Sequence, residues 1–321
     1  LYSMILKLID LKFLSLPLGR LFCIACFVLF TYSPLRSQLL TNNFGDAVTE
    51  NQYFSNSFIA EKGIKSITVY IDTKKKNSVI HDGNRGAIYQ FDESGNLILL
   101  KNFAGKPSEE NIISTKTFIY KDTLLVAYKS LDQYGLFSEE YDFVNGKIQK
   151  LTTRKLLHKG LSIQTPIDEM RVIAIDSFSY VQYGSQLKAI VHNRYNIPYR
   201  EILNYYNENG LLVEVVDKLT RTNTKNKKSM YYNSQNVLDS LVVHENQVGT
   251  KKEAMHYEYD DAIKGIHHVL KAKNIFLNDV YHREYQFLYD NEGMITYVLQ
   301  RETLNDLITI YKFTDYQFYS D

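Results

Sequence analysis

Apolar and aromatic residues recur at every second position through most of this 321-residue chain, between short turns that contain Asn or Gly. Tyr285, Phe287 and Tyr289 alternate before one such turn, and Ile295 and Leu299 alternate after it. A period of two indicates β-strands, because successive side chains of a strand point to opposite faces. Asn and Gly tolerate the positive φ that tight hairpin turns require. The pattern runs from about residue 65 to residue 318, so it predicts antiparallel hairpins and no long helix.

The turns repeat at a nearly constant spacing. Their Gly residues or substitutes stand at positions 184, 210, 236, 265 and 293, which are 26 to 29 residues apart. Repeats of roughly 20–50 residues indicate a solenoid, a propeller or another array. Two strands and two connections fill one such unit. We therefore predict an all-β fold of consecutive antiparallel β-hairpin repeats of about 26 residues that form an extended or spiral meander sheet, with a β-propeller as the alternative.

One repeat motif resembles a known family. The sequence Tyr-Asp-x-x-Gly-x-Ile begins at Tyr289, and related copies begin at Tyr89 and Tyr205. This motif resembles the tyrosine–aspartate (YD) repeat of bacterial extracytoplasmic proteins, in which hairpins join edge to edge into long sheets. The resemblance covers about residues 85–300 and implies a short secreted form. The great length and variable C-terminal toxin part of the large members do not appear, so toxin delivery is not implied.

The N-terminal residues have the pattern of a targeting segment. Basic residues precede an uncharged apolar run over residues 21–32, which is followed by small and polar residues. Twelve residues are too few to span a bilayer, which needs roughly 20. We predict a signal peptide at residues 1–37, a lead-in segment at 38–64, which can hold a short helix, and a hairpin-repeat domain at 65–321. An uncleaved anchor and a lipid-modified Cys23 or Cys26 are the alternatives.

Charge and cysteine content exclude several classes of protein. The formal net charge is +1, which is not the strongly basic balance of a nucleic-acid-binding protein. Both cysteines lie inside the apolar run, so cleavage would leave a chain without disulfides. The 26 Tyr residues are the compositional anomaly. On a sheet with one wet face, Tyr rings can pack across strands while their hydroxyls meet water; rings buried inside an ordinary sandwich or propeller are the alternative.

Candidate catalytic and metal-binding residues form no known motif. His256 and His268 could approach each other across a hairpin, but ordinary strand histidines are the favoured interpretation. Carboxylates occur in adjacent pairs, and a glycosidase needs two carboxyl groups close together in a cleft. Solvated residues at turns or strand ends are the simpler interpretation. These pairs are Glu109–Glu110, Glu139–Glu140 and Asp260–Asp261. No nucleophile elbow or phosphate-binding glycine loop occurs. We therefore assign no catalytic, cofactor-binding or metal-binding residue.

Taken together, these patterns predict a non-enzymatic structural or binding module with an aromatic-rich sheet surface. We expect it outside the cytoplasm after signal cleavage, in the periplasm, at the outer surface or secreted. Its expected partners are a glycan or another envelope protein, with no nucleic acid, no cofactor and no transmembrane span in the mature chain. Basic loops at residues 74–76 and 221–228 could touch anionic glycans, although solubilising hairpin tips explain them too. The alternative function is a carbohydrate-active hydrolase on a propeller-like scaffold, and a third is a partner for a repeat toxin.

Overall fold

A computed structural model describes residues 54–157, 162–246, 250–260 and 269–320. In these ranges the chain has one α-helix, α1 (Asn56–Glu61), inside the segment where a short helix was expected. The predicted signal peptide and most of the lead-in segment lie outside the described residues, so their boundaries stay predictions. No helix of the described residues is long and apolar enough to cross a membrane.

Eighteen antiparallel strands make up almost all of the described chain. The first nine are β1 (Ile64–Lys75), β2 (Arg85–Phe91), β3 (Leu97–Ala104), β4 (Ile112–Lys121), β5 (Leu124–Asp132), β6 (Gly135–Val144), β7 (Lys147–Leu156), β8 (Arg171–Tyr183) and β9 (Gln186–His192). The second nine are β10 (Pro198–Tyr206), β11 (Leu212–Leu219), β12 (Lys225–Tyr232), β13 (Leu238–Asn246), β14 (Thr250–Asp260), β15 (Val269–Leu277), β16 (Val280–Tyr289), β17 (Ile295–Glu302) and β18 (Leu307–Phe318). The predicted all-β hairpin meander is confirmed.

The sheet closes on itself, which corrects two parts of the sequence prediction. Each strand pairs with the next, and β18 then pairs with β1, with Val69 opposite Phe313 and Lys75 opposite Leu307. The result is a single closed β-barrel, so it is neither an open spiral sheet nor a set of propeller blades. Closure pairs the backbone groups that an open sheet would leave unpaired along its two edges. The pairing of the first strand with the last cannot be read from local repeats.

An up-and-down sheet places its connections at two ends. We call the end that holds the connections after even-numbered strands the base, and the other end the rim. The base includes the turns at residues 92–96, 207–211, 233–237 and 290–294. The rim includes the connections at residues 76–84, 105–111, 133–134, 193–197, 220–224, 278–279 and 303–306, and the described part of the connection from β7 to β8, at residues 157 and 162–170. Of the basic loop expected at residues 221–228, residues 221–224 form a connection, whereas residues 225–228 belong to β12.

Four base turns share one hydrogen-bond arrangement, which explains the repeated Asn, Asp and Gly. In the last of them, the Asp290 carboxylate accepts hydrogen bonds from the backbone N–H groups of Glu292 and Met294 at 2.8 and 2.9 Å. Gly293 follows with a φ of 82° and donates its N–H to the Asp290 carbonyl oxygen. Asn236 fills the same position in another turn with a φ of 62°. The sequence pattern therefore predicted these turns correctly, because local side-chain bonds define them.

The two faces of the sheet differ sharply in burial. Phe118, Phe287 and Val298 are at most 7% exposed. Their chain neighbours Ile119, Leu288 and Tyr297, which point the other way, are at least 37% exposed. Side chains converge on the concave side of a closed sheet and diverge on the convex side, so these three buried side chains face the interior. Leu136 and Ser138, on the opposite face of β6, are buried as well. Alternate residues thus give an inner face and an outer face to every strand.

Aromatic rings and the N-terminal helix fill the interior near the base. Phe54 is fully buried, and its ring lies 5.1 Å from that of Tyr89, 5.3 Å from Phe91 and 6.2 Å from Phe313, all edge to face. Phe58 of α1 joins the same cluster. Edge-to-face pairs contribute about 0.5–1.5 kcal/mol each beyond the area they bury. The chain that precedes β1 therefore packs inside the closed sheet.

Candidate functional site

The candidate site is a polar inner wall between the aromatic base packing and the rim. Tyr257, Lys273, Tyr285 and Gln300 face one another across the neighbouring strands β14 to β17. The Lys273 ammonium lies 6.0 Å from the centre of the Tyr257 ring and 5.7 Å from that of Tyr285. Rings on both sides of an ammonium stabilise its charge through their negative faces. This row of four side chains presents two rings and two polar groups to the interior.

A second row of inner-face side chains, around Arg283 and Glu302, lies nearer the rim. The Arg283 guanidinium donates to the Glu302 carboxylate and to the Tyr285 hydroxyl, both at 3.4 Å. Gln300 also donates to Glu302 at 3.4 Å, while the Tyr311 hydroxyl donates to Gln300 at 2.9 Å. Arg283 Nε is buried and has no hydrogen-bond partner among the described residues. Distances of 3.4 Å are long for hydrogen bonds, so these donors and acceptors retain bonding capacity for a ligand.

Burial changes the protonation equilibria of this wall. Burial lowers the pKa of Lys273; the Glu253 carboxylate opposes this effect and the charge of Arg283 adds to it. Burial also raises the pKa of Tyr257 to about 12, with a further contribution from Glu253. Removing either group from water disfavours its charged form. The tyrosine is therefore neutral at physiological pH and is available as both hydrogen-bond donor and acceptor.

A small cavity continues the wall toward β12. It has a volume of about 230 Å³ and is lined by Lys228, Val243, Glu245, Glu253 and Met255. Glu253 connects this cavity electrostatically with Tyr257 and Lys273. The wall from β12 to β17 therefore combines charged, amide and aromatic groups. Sites for polar ligands use such a mixture, with apolar surface for contact area and a few polar groups for orientation.

A third group of charges lies elsewhere on the inner face. The Arg200 guanidinium binds the Asp217 carboxylate through two hydrogen bonds of 2.8 and 2.7 Å. Burial and a hydrogen bond with Asp176 raise the pKa of Tyr199 to about 12. Two-pronged pairing of this kind satisfies both partners, so this group is better explained as a structural element.

Many tyrosines stabilise the sheet through hydrogen bonds from their hydroxyl groups, a role that was not predicted from the sequence. Five of them lie near base turns and donate their hydroxyls to main-chain carbonyl oxygens at the ends of neighbouring strands, at 2.5–2.8 Å. The pairs are Tyr180 with Ile148, Tyr232 with Leu212, Tyr259 with Leu238, Tyr289 with Leu270, and Tyr316 with Ile295. The near-constant spacing of 19–21 residues within four of these pairs is the signal that could have predicted them.

In two of the three adjacent carboxylate pairs, the structure gives the two side chains separate surroundings. Glu139 accepts a hydrogen bond from Tyr141 on the inner face, whereas Glu140 pairs with Arg154 at 2.6 Å on the outer face. Glu109 pairs with Lys101, and Glu110 lies beside it in an exposed 3₁₀ turn. Asp261 of the third pair lies outside the described residues.

The predicted approach of two histidines stays untested. The His256 ring packs edge to face on Phe276 with ring centres 5.4 Å apart, and His268 lies outside the described residues. Across the described ranges, no group of three or more His, Cys, Asp or Glu side chains is arranged to hold a metal ion.

Comparison with solved structures gives distant likenesses. A porin-like protein from Bacteroides uniformis is 12% identical, with a TM-score of 0.38, over 80% of this chain and 97% of that one. A porin-like protein from Bacteroides vulgatus is 9% identical, with a TM-score of 0.34, over 76% and 96% of the two chains. The TcdB2–TccC3 structure is 11% identical, with a TM-score of 0.28, over 74% of this chain and 16% of that one. No protein-family model and no curated protein matches the chain. None of these likenesses assigns a function.

Proposed function

We propose that this chain is a non-enzymatic binding module of the bacterial cell envelope and that its inner wall binds a glycan. The observation that carries the proposal is the row of Tyr257, Lys273, Tyr285 and Gln300, with Arg283 and Glu302 beside it. The C–H faces of sugar rings pack on aromatic rings, and sugar hydroxyls bond to amides, guanidinium groups and carboxylates. The long hydrogen bonds around Arg283 leave capacity for such hydroxyls.

Because the sheet is closed, it offers no free edge strand to a partner, so the proposal concerns the inner wall. Strand addition by another protein needs an edge strand with unpaired backbone groups. Here β1 pairs with both β2 and β18. A partner protein would therefore have to bind through side chains or connections, whereas a glycan can bind to the interior.

Ion pairs on the outer face of the sheet indicate that this face contacts water. Lys188 lies 2.7 Å from Glu201, and Lys227 lies 2.6 Å from Glu214, in the middle of their strands. Charged side chains on a lipid-facing sheet cost up to roughly 2–4 kcal/mol each. The outer wall therefore fits an aqueous compartment. The predicted signal peptide favours an extracytoplasmic compartment. N-terminal sequencing of protein from envelope and culture fractions tests this, and Gln38 is expected as the first residue of the mature chain.

The binding proposal is tested with a glycan array, followed by calorimetry on any oligosaccharide retained. We expect Tyr285→Ala to weaken binding about tenfold or more, which corresponds to about 1.4 kcal/mol. The matched control is Tyr297→Ala, since Tyr297 is a tyrosine on the outer face of the adjacent strand. Equal losses in both variants would contradict the assignment to the inner wall. Turnover of a generic ester or glycoside, with no glycan, lipid or envelope protein retained, would favour the hydrolase instead.

A further inference from the structure

Cationic side chains predominate on one part of the inner face. This part, which we call the positive wall, consists of the adjacent strands β15 to β18 and β1 to β4, between the aromatic base packing and the rim. Its described inward-facing charges are five cations and the single carboxylate of Glu302. The cations are Lys75, Arg85, Lys116, Lys273 and Arg283. Glu253 faces the same region from the neighbouring strand β14, so cations remain in excess.

Two of these cations lie close together and have little compensation. Burial lowers the pKa of Lys273, and the nearby charge of Arg283 adds to this effect. Among the described residues Lys273 forms no ion pair, because its ammonium lies between the rings of Tyr257 and Tyr285. Arg283 reaches Glu302 only at 3.4 Å, and its Nε is buried without a hydrogen-bond partner in the described chain. Like charges therefore meet in a partly buried place.

A third cation approaches from the other side of Tyr311. Burial raises the pKa of the Tyr311 hydroxyl, and the charges of Arg85 and Arg283 oppose this effect. Arg85 is exposed on β2, two residues before the buried Ala87, so both face the interior. The guanidinium groups of strands β2 and β16 thus act on one hydroxyl group of β18. Their charges converge on the region above Gln300, to which the Tyr311 hydroxyl donates.

The chemistry of these groups favours an anion. Repulsion between like charges in a partly buried site is relieved when an opposite charge binds among them. A guanidinium group presents paired N–H donors that match the oxygens of a carboxylate, a sulfate or a phosphate. A neutral sugar would satisfy hydrogen-bonding groups but would leave the excess charge uncompensated. The rings of Tyr257 and Tyr285 meanwhile offer flat surfaces for a sugar ring beside the cations.

We propose that the ligand of the inner wall is an acidic glycan. Its anionic group lies among Lys273, Arg283 and Arg85, while the sugar ring that carries this group packs on Tyr285. This inference rests on the proposed function, because it specifies the chemical class of the glycan that the inner wall binds.

A glycan array with neutral, uronate-containing and sulfated oligosaccharides tests the inference with the full chain. We expect the array to retain acidic members in preference to neutral ones. Calorimetry then compares a retained acidic oligosaccharide with its uncharged form, made by methyl esterification of carboxylates or by removal of sulfates. The uncharged form should bind at least about tenfold more weakly. Added salt should weaken binding of the acidic form more than that of the uncharged form. The two treatments distinguish a carboxylate from a sulfate as the recognised group.

Variants locate the recognition of charge. Arg283→Gln should weaken binding of the acidic form about tenfold or more and change binding of the uncharged form less than about threefold. Arg85→Gln, at an exposed position, should weaken binding of the acidic form in the same selective way and serves if Arg283→Gln does not fold. The matched control is Arg301→Gln, which changes an exposed arginine on the outer face of β17, opposite Glu284. The control should keep the wild-type affinity for both forms.

The results separate this inference from the proposed function. Retention of neutral glycans without preference for acidic ones, or equal affinities for the acidic and uncharged forms, would overturn the inference and leave binding of a glycan intact. Equal losses in Arg85→Gln and Arg301→Gln would also overturn it, because the positive wall would then have no special role. Retention of no glycan at all would overturn both proposals.

Discussion

The hydroxyl of Tyr289 donates a hydrogen bond of 2.8 Å to the main-chain carbonyl oxygen of Leu270. The backbone pairing of β15 with β16 ends at Ala272 and Gln286, so this carbonyl lies beyond the last paired residues of the two strands. The side chain supplies the donor that the neighbouring strand would have provided. Tyr232, Tyr259 and Tyr316 do the same for the preceding strands. At these four positions the tyrosine repeat is a hydrogen-bonding repeat that joins one pair of strands across the gap left by the backbone pairing.

The first prediction removes one of these hydroxyls. Tyr289→Phe keeps the ring and leaves the Leu270 carbonyl without its donor, so we expect the free energy of unfolding to fall by about 1–3 kcal/mol. Denaturant unfolding followed by circular dichroism measures it. Tyr297→Phe, at an exposed position on the outer face, should change the same free energy by less than about 0.5 kcal/mol. Equal stability of wild type and Tyr289→Phe would mean that the bond has no net effect.

A second prediction concerns the N-terminal helix in the interior. Phe58 is 1% exposed and packs in the largest hydrophobic cluster. Phe58→Ala should therefore lower the free energy of unfolding by about 3–5 kcal/mol, through lost burial and the cavity that remains. Thermal unfolding should show a lower midpoint. Phe318→Ala, at a residue that is 48% exposed, is the matched control and should shift the midpoint far less. If both substitutions had equal effects, the helix would not be part of the core.

Local chemistry determined which structural features could be predicted from the sequence. The turn at Asp290 was recognisable because its carboxylate bonds to backbone groups within four residues. The closure of the sheet was not, because the pairing of Val69 with Phe313 joins residues far apart in the chain and leaves no local signature. For the same reason, the polar inner wall was not predicted from the sequence. Lys273, Tyr285 and Arg283 are ordinary strand residues in sequence, and only the register places them together.

A third prediction tests the turns by exchanging their residues. Gly210 has a φ of 75°, and a Cβ built there would meet nothing within 4 Å, so only backbone strain opposes substitution. Asn occupies the equivalent position in the next turn, at Asn236. Gly210→Asn should therefore keep the free energy of unfolding within about 1 kcal/mol of wild type, whereas Gly210→Val should lower it by about 1–3 kcal/mol. A valine variant as stable as the asparagine variant would show that the turn adopts another conformation.

The fourth prediction concerns stability at alkaline pH. Burial raises the pKa of Tyr257 to about 12 from 10.0, so the folded state holds this proton more tightly than the unfolded chain does. The resulting stabilisation is complete below pH 10 and is lost as the pH rises from 10 toward 12, because the unfolded state then binds fewer protons. The midpoint of urea unfolding should therefore fall across this range, and less steeply in Tyr257→Phe than in wild type. Equal slopes in Tyr257→Phe and wild type would mean that Tyr257 does not titrate differently in the folded and unfolded states.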